Sequence, residues 1–405
     1  MVEFNHQNIT GVIRITREWI IAGAKVYGEE RQLENGYIKV AQDQITEVGC
    51  AAEVDPALIE GAIQLPASWK VVPGMIDVHI HGAAGADTMD ATEEALEIMS
   101  RALPAEGTTA FLATTMTQDQ EAIERALKNA AVYIEGNNKV GKAEVLGIHL
   151  EGPFISAIRA GAQPPGAIRL PDVTLFQRWQ ELAGGAIRLV TLAPEQEGGL
   201  EFAAYLKQTG VVASIGHSDA TYEQTVQAIQ AGVTHATHLY NGMRGMHHRE
   251  PGVVGAVLLR DEIKVEMIVD GVHACPEMID LAYRLKRAEG IILVTDAMRA
   301  KCLGDGHYTL GGQDVQVEGG KAVLEDGTLA GSIIKMKDAA WNMMSYTKCT
   351  LEDVIRMTAE NPARQLGFWN RKGSLRVGKD ADLVVLDEQM NVRMTFCRGT
   401  LAYQQ

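Results

Sequence analysis

The sequence predicts an α/β protein: an eight-stranded β/α barrel with a small β domain built from both chain ends. Three observations carry this. From Pro73-Gly74 onward, short apolar runs alternate with longer amphipathic stretches, the pattern of βα units around a parallel sheet. There are eight such runs in about 220 residues, which is barrel arithmetic. The segments before and after the alternation are rich in Ile, Val and Thr and are cut by Gly or Asn-Gly turn signals.

In order, Gly11–Thr16, Trp19–Val26 and Tyr37–Val48 are expected strands of the first β segment. The barrel runs are Met75–Ile80, Thr109–Thr114, Glu144–Leu150, Ile187–Ala193, Val211–Ile215, His235–Leu239, Lys264–Val269 and Ile291–Thr295. Helical patterns separate them, among them Glu93–Leu103, Asp119–Tyr133, Thr221–Ala231 and Pro276–Ala288. His307–Leu329, with its Gly-Gly and Asp-Gly turns, reads as a β insertion. Helices are expected at Ile333–Ser345 and Leu351–Leu366, and β structure returns from Gly373. The expected division is 1–72 and 370–405 for the small domain, and 73–369 for the barrel.

Lys and Arg number 37 against 52 Asp and Glu, for a net charge of −15. Phosphate repulsion then argues against a general nucleic-acid binder. The cysteines, at 50, 275, 302, 349 and 397, are odd in number, widely spaced and without a CxxC. That disfavours a disulfide framework or a thiolate zinc site and favours a reducing compartment. No secretory leader pattern and no apolar run of membrane-spanning length is evident, so a cytoplasmic location without membrane contact is expected.

In a parallel barrel the C-terminal strand ends converge on one mouth, where active sites sit. The runs end in His79-Ile80-His81, Glu151, His217 and Asp296, and the sixth carries His238. Residues two apart on a strand face the same side, so His79 and His81 can grip one ion together. Imidazoles and carboxylates suit a divalent zinc, iron or manganese, one or two per chain. Several histidines have two readings. His149 is either a support for this centre or a packed core residue. His235 reads as structural, and His6 and His307 as surface residues. His247 and His248, in a loop with Arg244 and Arg249, are either solvated or part of an anion clamp. His273 follows the seventh run, at the mouth, where it can polarise a substrate. No phosphate-loop pattern and no G-x-S-x-G elbow is present.

The run Pro73-Gly-Met-Ile-Asp-Val-His-Ile-His81-Gly82 resembles the first metal motif of the amidohydrolase superfamily. Further motifs resemble one family within it, the N-acetylglucosamine-6-phosphate deacetylases. These are His149-Leu-Glu151-Gly-Pro153, Ser214-Ile-Gly-His217-Ser-Asp219-Ala220, Thr237-His238-Leu-Tyr-Asn241-Gly-Met243, His248-Arg249-Glu-Pro-Gly252, Val269-Asp-Gly-Val-His273, Val294-Thr-Asp296-Ala297 and Leu329-Ala-Gly-Ser332. The tail Val377-Gly-Lys-Asp-Ala-Asp382-Leu resembles the superfamily's closing segment.

The resemblance implies a distorted (β/α)8 barrel with a small β-sandwich, and hydrolysis of the acetamide of an amino-sugar phosphate. Glu151, His217 and His238 would form one metal site. His79, His81 and Asp296 would form a second, bridged by Glu151. Asp296 would be the general acid and base, and His273 would polarise the acetyl carbonyl. Asn241, Gly242 and Arg249, with assistance from His248 and Arg244, would hold the phosphate, Arg249 coming from the partner subunit of a homodimer. Ala162, Gln163, Leu329, Ala330 and Gly331 would touch the sugar. Competing readings are deacetylation of the galactosamine epimer, hydrolysis of an N-acyl-D-amino acid or a cyclic amide, and an inactive barrel used in assembly.

Overall fold

The computed structural model describes residues 18–405. The expected strand Gly11–Thr16 and the expected surface residue His6 lie outside them. Eight parallel strands form one sheet in sequence order. They are β1 (Met75–Ile80), β2 (Thr108–Thr114), β3 (Glu144–Glu151), β4 (Ile187–Leu192), β5 (Val212–Ile215), β6 (Val233–Ala236), β7 (Lys264–Ile268) and β8 (Ile291–Val294). Almost every residue of these strands is buried, because helices cover the outer face and side chains fill the interior. The helices start where the sequence caps them. Asp119 accepts from the Ala122 N–H, and Thr221 and Gln224 form a capping box.

The sixth strand begins earlier than the apolar run predicts. Gly232, at φ +138°, closes the preceding helix and feeds directly into Val233. His238 therefore lies past the strand end, in a turn. The expected helix Leu351–Leu366 contains a π turn at Arg356–Glu360. Pro362 supplies no N–H for the Thr358 carbonyl, which breaks the regular ladder there.

The ring closes by an irregular seam between β8 and β1. Instead of a continuous ladder, three backbone bonds cross it just beyond the strand ends. The Asp296 N–H donates to His79 O at 2.8 Å, and the His81 and Gly82 N–H groups donate to Ala297 O at 2.9 and 3.0 Å. Deeper in, the side chain of Asp77 substitutes for the ladder. It accepts from the Thr295 N–H at 3.3 Å and from its hydroxyl at 2.5 Å. The fully buried Lys301 stands beside it, paired with Glu106 at 2.7 Å.

The chain ends build two further sheets, one of four strands and one of six; the six-stranded sheet joins residues 25–73 to 383–404. Their shared core includes Trp19, Ile38, Val71, Leu383 and Phe396, with Trp19 stacked on Phe396 at 4.4 Å. The β insertion forms a three-stranded antiparallel sheet, Gly306–Leu310, Gln313–Glu318 and Lys321–Val323, placed over the barrel mouth. Its Gln313 donates to Ala162 O at 2.6 Å. All five cysteines are free. Among the described residues no helix is long and apolar enough to cross a membrane.

Candidate metal centre and active site

Four strand ends and one strand deliver the candidate ligands to one point. His79 lies in β1 and His81 just beyond it, Glu151 is the last residue of β3, and His217, His238 and Asp296 each stand two residues past the ends of β5, β6 and β8. The last three adopt left-handed backbone, at φ +48°, +30° and +46°. Such a conformation is strained for a residue with a side chain and is characteristic of functional turns.

Glu151 is the hub. Its Oε1 lies 3.2 Å from both His217 Nε2 and His238 Nε2, and its Oε2 lies 3.1 Å from His81 Nε2. On the other side, Asp296 Oδ1 is 3.4 Å from His79 Nε2 and 3.3 Å from His81 Nε2. Two ligand triads result: Glu151 with His217 and His238, and His79 with His81 and Asp296. The residues fit a cation. His217 and His238 place their Nδ1 atoms 2.8 and 3.0 Å from the carbonyls of Arg159 and Asn241. A carbonyl accepts, so each Nδ1 carries the proton and each Nε2 faces inward as a lone pair. These two nitrogens are 3.2 Å apart, and each meets a carboxylate oxygen. Ligands at ~2.1 Å from a tetrahedral ion stand about 3.4 Å from one another. The Nε2 of His79, buried and without a hydrogen-bond partner, points into the same centre.

Electrostatics follow from this crowding. Burial would raise the Glu151 pKa, but His79, His217 and His238 hold it well below the usual carboxylate range. Burial likewise opposes ionisation of Asp296, and His79 and His81 outweigh it. His81 is pushed up to about 9: burial lowers it, and Asp296 and Glu151 more than compensate. His149 falls well below its ordinary value through burial and the neighbouring His79.

The centre floors a cavity of about 220 Å³. Ala162, Gln163, Asn241, Gly242, His273, Leu329 and Gly331 line it, together with Met116, Leu310 and Thr328. Gly242 sits at φ +58°, and a Cβ there would come within 3.0 Å of His217 Nδ1, so no larger residue fits without displacing the imidazole. His273 is held by its own turn. Asp270 accepts from the backbone N–H groups of Val272 and His273 and meets His273 Nδ1 at 2.7 Å, leaving Nε2 for the cavity. Burial lowers the His273 pKa, but Asp270 carries it above its ordinary value.

Other expected residues are already engaged or stand outside the cavity. Gln163 is committed to the centre: it donates to Glu151 Oε2 and accepts from the Thr117 N–H, each at 2.8 Å. Ala330 packs in the insertion's own core. His248 and Arg249 lie on an exposed loop outside the cavity, 2.8 Å from each other. Arg244 is bound to Asp219 at 2.6 Å, and Asp219 also holds Arg159, whose carbonyl orients His217. His149 packs beneath the centre, with Nε2 2.7 Å from Thr191 Oγ1 and its ring edge-on to His79. The residue that sequence reasoning missed is Glu266, fully buried in β7 and 2.9 Å from His79 Nδ1. Its signal was a single carboxylate inside an otherwise apolar barrel run.

An amidohydrolase family model matches residues 70–402. The chain is 48% identical over 386 residues to the N-acetylglucosamine-6-phosphate deacetylase of Bacillus subtilis (strain 168), covering 95% of this chain and 97% of that one. It is 36% identical to the N-acetylgalactosamine-6-phosphate deacetylase of Escherichia coli O157:H7, covering 95% and 99%. A mutant N-acetyl-D-glucosamine-6-phosphate deacetylase from Mycobacterium smegmatis, solved in complex with N-acetyl-D-glucosamine-6-phosphate, superposes with a TM-score of 0.89 at 34% identity, covering 96% of this chain and all of that one. The barrel, the histidines and carboxylates at its mouth and these likenesses agree: the chain belongs to the amidohydrolase family, among the N-acetylglucosamine-6-phosphate deacetylases.

Proposed function

We propose that this chain hydrolyses the acetamide of N-acetyl-D-glucosamine 6-phosphate, releasing acetate and D-glucosamine 6-phosphate. The observation that carries the reading is the hub at Glu151, where two ligand triads meet on the floor of a cavity that also holds His273. The triads would hold one or two divalent ions of the zinc, iron or manganese type. A bound ion of this kind lowers the pKa of water from 15.7 towards about 7 and so supplies a nucleophile at neutral pH.

The protein's own groups do the rest. Asp296 takes the proton of the attacking water and returns it to the leaving amine. His273 donates from Nε2 to the acetyl oxygen as negative charge builds there. Asp270, 2.7 Å from Nδ1, outweighs the effect of burial and favours the charged imidazole that carries this proton. Gln163 keeps Glu151 in place, and Asn241 with the Gly242 backbone lines the wall that receives the sugar. Arg249 binds the phosphate. It lies on the exposed His247–Glu250 turn, outside this chain's own cavity, so in this reading it serves the cavity of a partner subunit in a homodimer. Arg244 is occupied by Asp219 and contributes through the loop's shape. The free cysteines support a reducing, cytoplasmic setting.

The test is acetate release from the phosphorylated and unphosphorylated sugars. Wild type should strongly prefer the phosphorylated one. Arg249→Ala should raise KM for it by roughly ten- to a hundredfold, the cost of a charge-assisted bond, and leave the poor use of the unphosphorylated sugar unchanged. Equal use of both sugars by wild type would overturn the phosphate-sugar reading. A clear preference for the galactosamine epimer would transfer the assignment to that substrate.

A further inference from the structure

Three hydrogen-bond donors converge on Glu266. Its Oε2 accepts from His79 Nδ1 at 2.9 Å and from the backbone N–H of His238 at 3.1 Å; its Oε1 lies 2.9 Å from His235 Nε2. Glu266 is wholly inaccessible to solvent and His235 is buried beside it. Neither side chain lines the cavity, so neither can touch substrate. Glu266 nevertheless reaches both ligand triads. Through His79 it selects the tautomer with the proton on Nδ1, which turns the lone pair of Nε2 inward. Through His238 it fixes the backbone of a residue held at φ +30°.

The two links are unequal. The His238 imidazole has its own anchor, the Asn241 carbonyl, which holds Nδ1 at 3.0 Å without help from Glu266. His217 is likewise anchored on Arg159 O. The only side-chain hydrogen bond of His79 is the one from Nδ1 to Glu266; its Nε2 makes none and only faces the carboxylate oxygens of Asp296 and Glu151, at 3.4 and 3.5 Å. Removing the carboxylate therefore releases one triad and leaves the other standing.

We infer that Glu266, braced by His235, is the positioning residue that makes His79, His81 and Asp296 a metal site, and so sets whether the centre holds one ion or two. The inference rests on the metal-dependent reading above and deepens it. Orienting carboxylates of this kind typically account for ten- to a hundredfold in metal affinity.

The experiment is metal content per chain, measured by plasma emission spectrometry after equilibration with zinc or manganese at graded chelator strength. Circular dichroism checks the fold. Wild type should release its ions in two steps. In Glu266→Leu the weaker step should shift roughly ten- to a hundredfold, towards a single retained ion. Should that variant fail to fold because buried donors are stranded, Glu266→Leu with His235→Phe removes one of the three donors along with the acceptor, which lowers the cost of the substitution. Glu266→Gln should restore most of the lost affinity, since its amide oxygen can take the place of Oε2. In the folded leucine variants kcat should fall while KM for the sugar phosphate holds. Unchanged release curves in the folded leucine variants would overturn the inference. A wild type that takes up only one ion would overturn it too, by showing that the second triad is not a metal site; a wild type that takes up none would remove the metal-dependent reading itself.

Discussion

Asp296→Asn should leave a folded protein that has lost most of its turnover. The carboxylate stands where two roles overlap: it faces His79 and His81 at 3.4 and 3.3 Å, and it lines the cavity. An amide keeps the shape and can still accept a hydrogen bond, but it cannot take a proton from water and return it to an amine. General acid–base catalysis contributes roughly 10²–10⁴-fold, so kcat should drop by about that factor. Weakened metal binding would add to the loss, so the measurement pairs steady-state kinetics with metal content. A metal-replete, folded Asp296→Asn protein with near-normal kcat would remove Asp296 from the proton transfer. The left-handed backbone at this position is compatible with the substitution, since Asn tolerates that region well.

The second large effect should come from removing the ions. Exhaustive chelation should abolish deacetylation, and restoring a divalent metal should bring it back. Lewis-acid stabilisation of several kcal/mol corresponds to a loss on the order of 10³-fold or more. Glu151→Ala should mimic the chelated enzyme, and added metal should not rescue it, because this carboxylate belongs to one triad and faces His81 of the other at 3.1 Å. Full activity in a protein shown to be free of metal would contradict the proposed chemistry at its root.

Much of this site was legible in the sequence for a simple reason. Parallel barrels place C-terminal strand ends together, so the residues that terminate the apolar runs share one mouth. Glu151, His217 and Asp296 were visible on that basis, and His79 and His81 by their two-residue spacing. Glu266 was not. In Lys264-Val-Glu-Met-Ile268 a carboxylate between apolar residues reads as the outer face of an amphipathic strand, yet a barrel strand is covered on both sides. Only the fold shows that this residue points inward, beneath His79. His235 reads as structural in the sequence, and it stands buried with Nε2 2.9 Å from that same carboxylate. The site's division of labour was equally hidden. The family resemblance implies a sugar contact for Gln163, and the loop's composition an anion clamp that includes Arg244; in the structure Gln163 lines the cavity while bonded to Glu151, and Arg244 is bonded to Asp219. Pairwise commitments of this sort depend on loop geometry that no periodicity encodes.

The seam between the last and first barrel strands has a dynamic consequence. Rings fastened by a full ladder open only on global unfolding, whereas a junction with few backbone bonds is a natural line of local opening. Here His79 and His81 stand on one side of that line and Asp296 on the other, so an ion gripped by all three would act as a rivet across it. The amide protons of Asp296, His81 and Gly82, which bridge the gap, then become reporters. Their exchange with deuterium should be slow in the loaded protein and markedly faster after chelation, while amides in the centre of β3 stay protected in both. On this view the ring is finished by its cargo, and the enzyme's tightest state is the one ready to react.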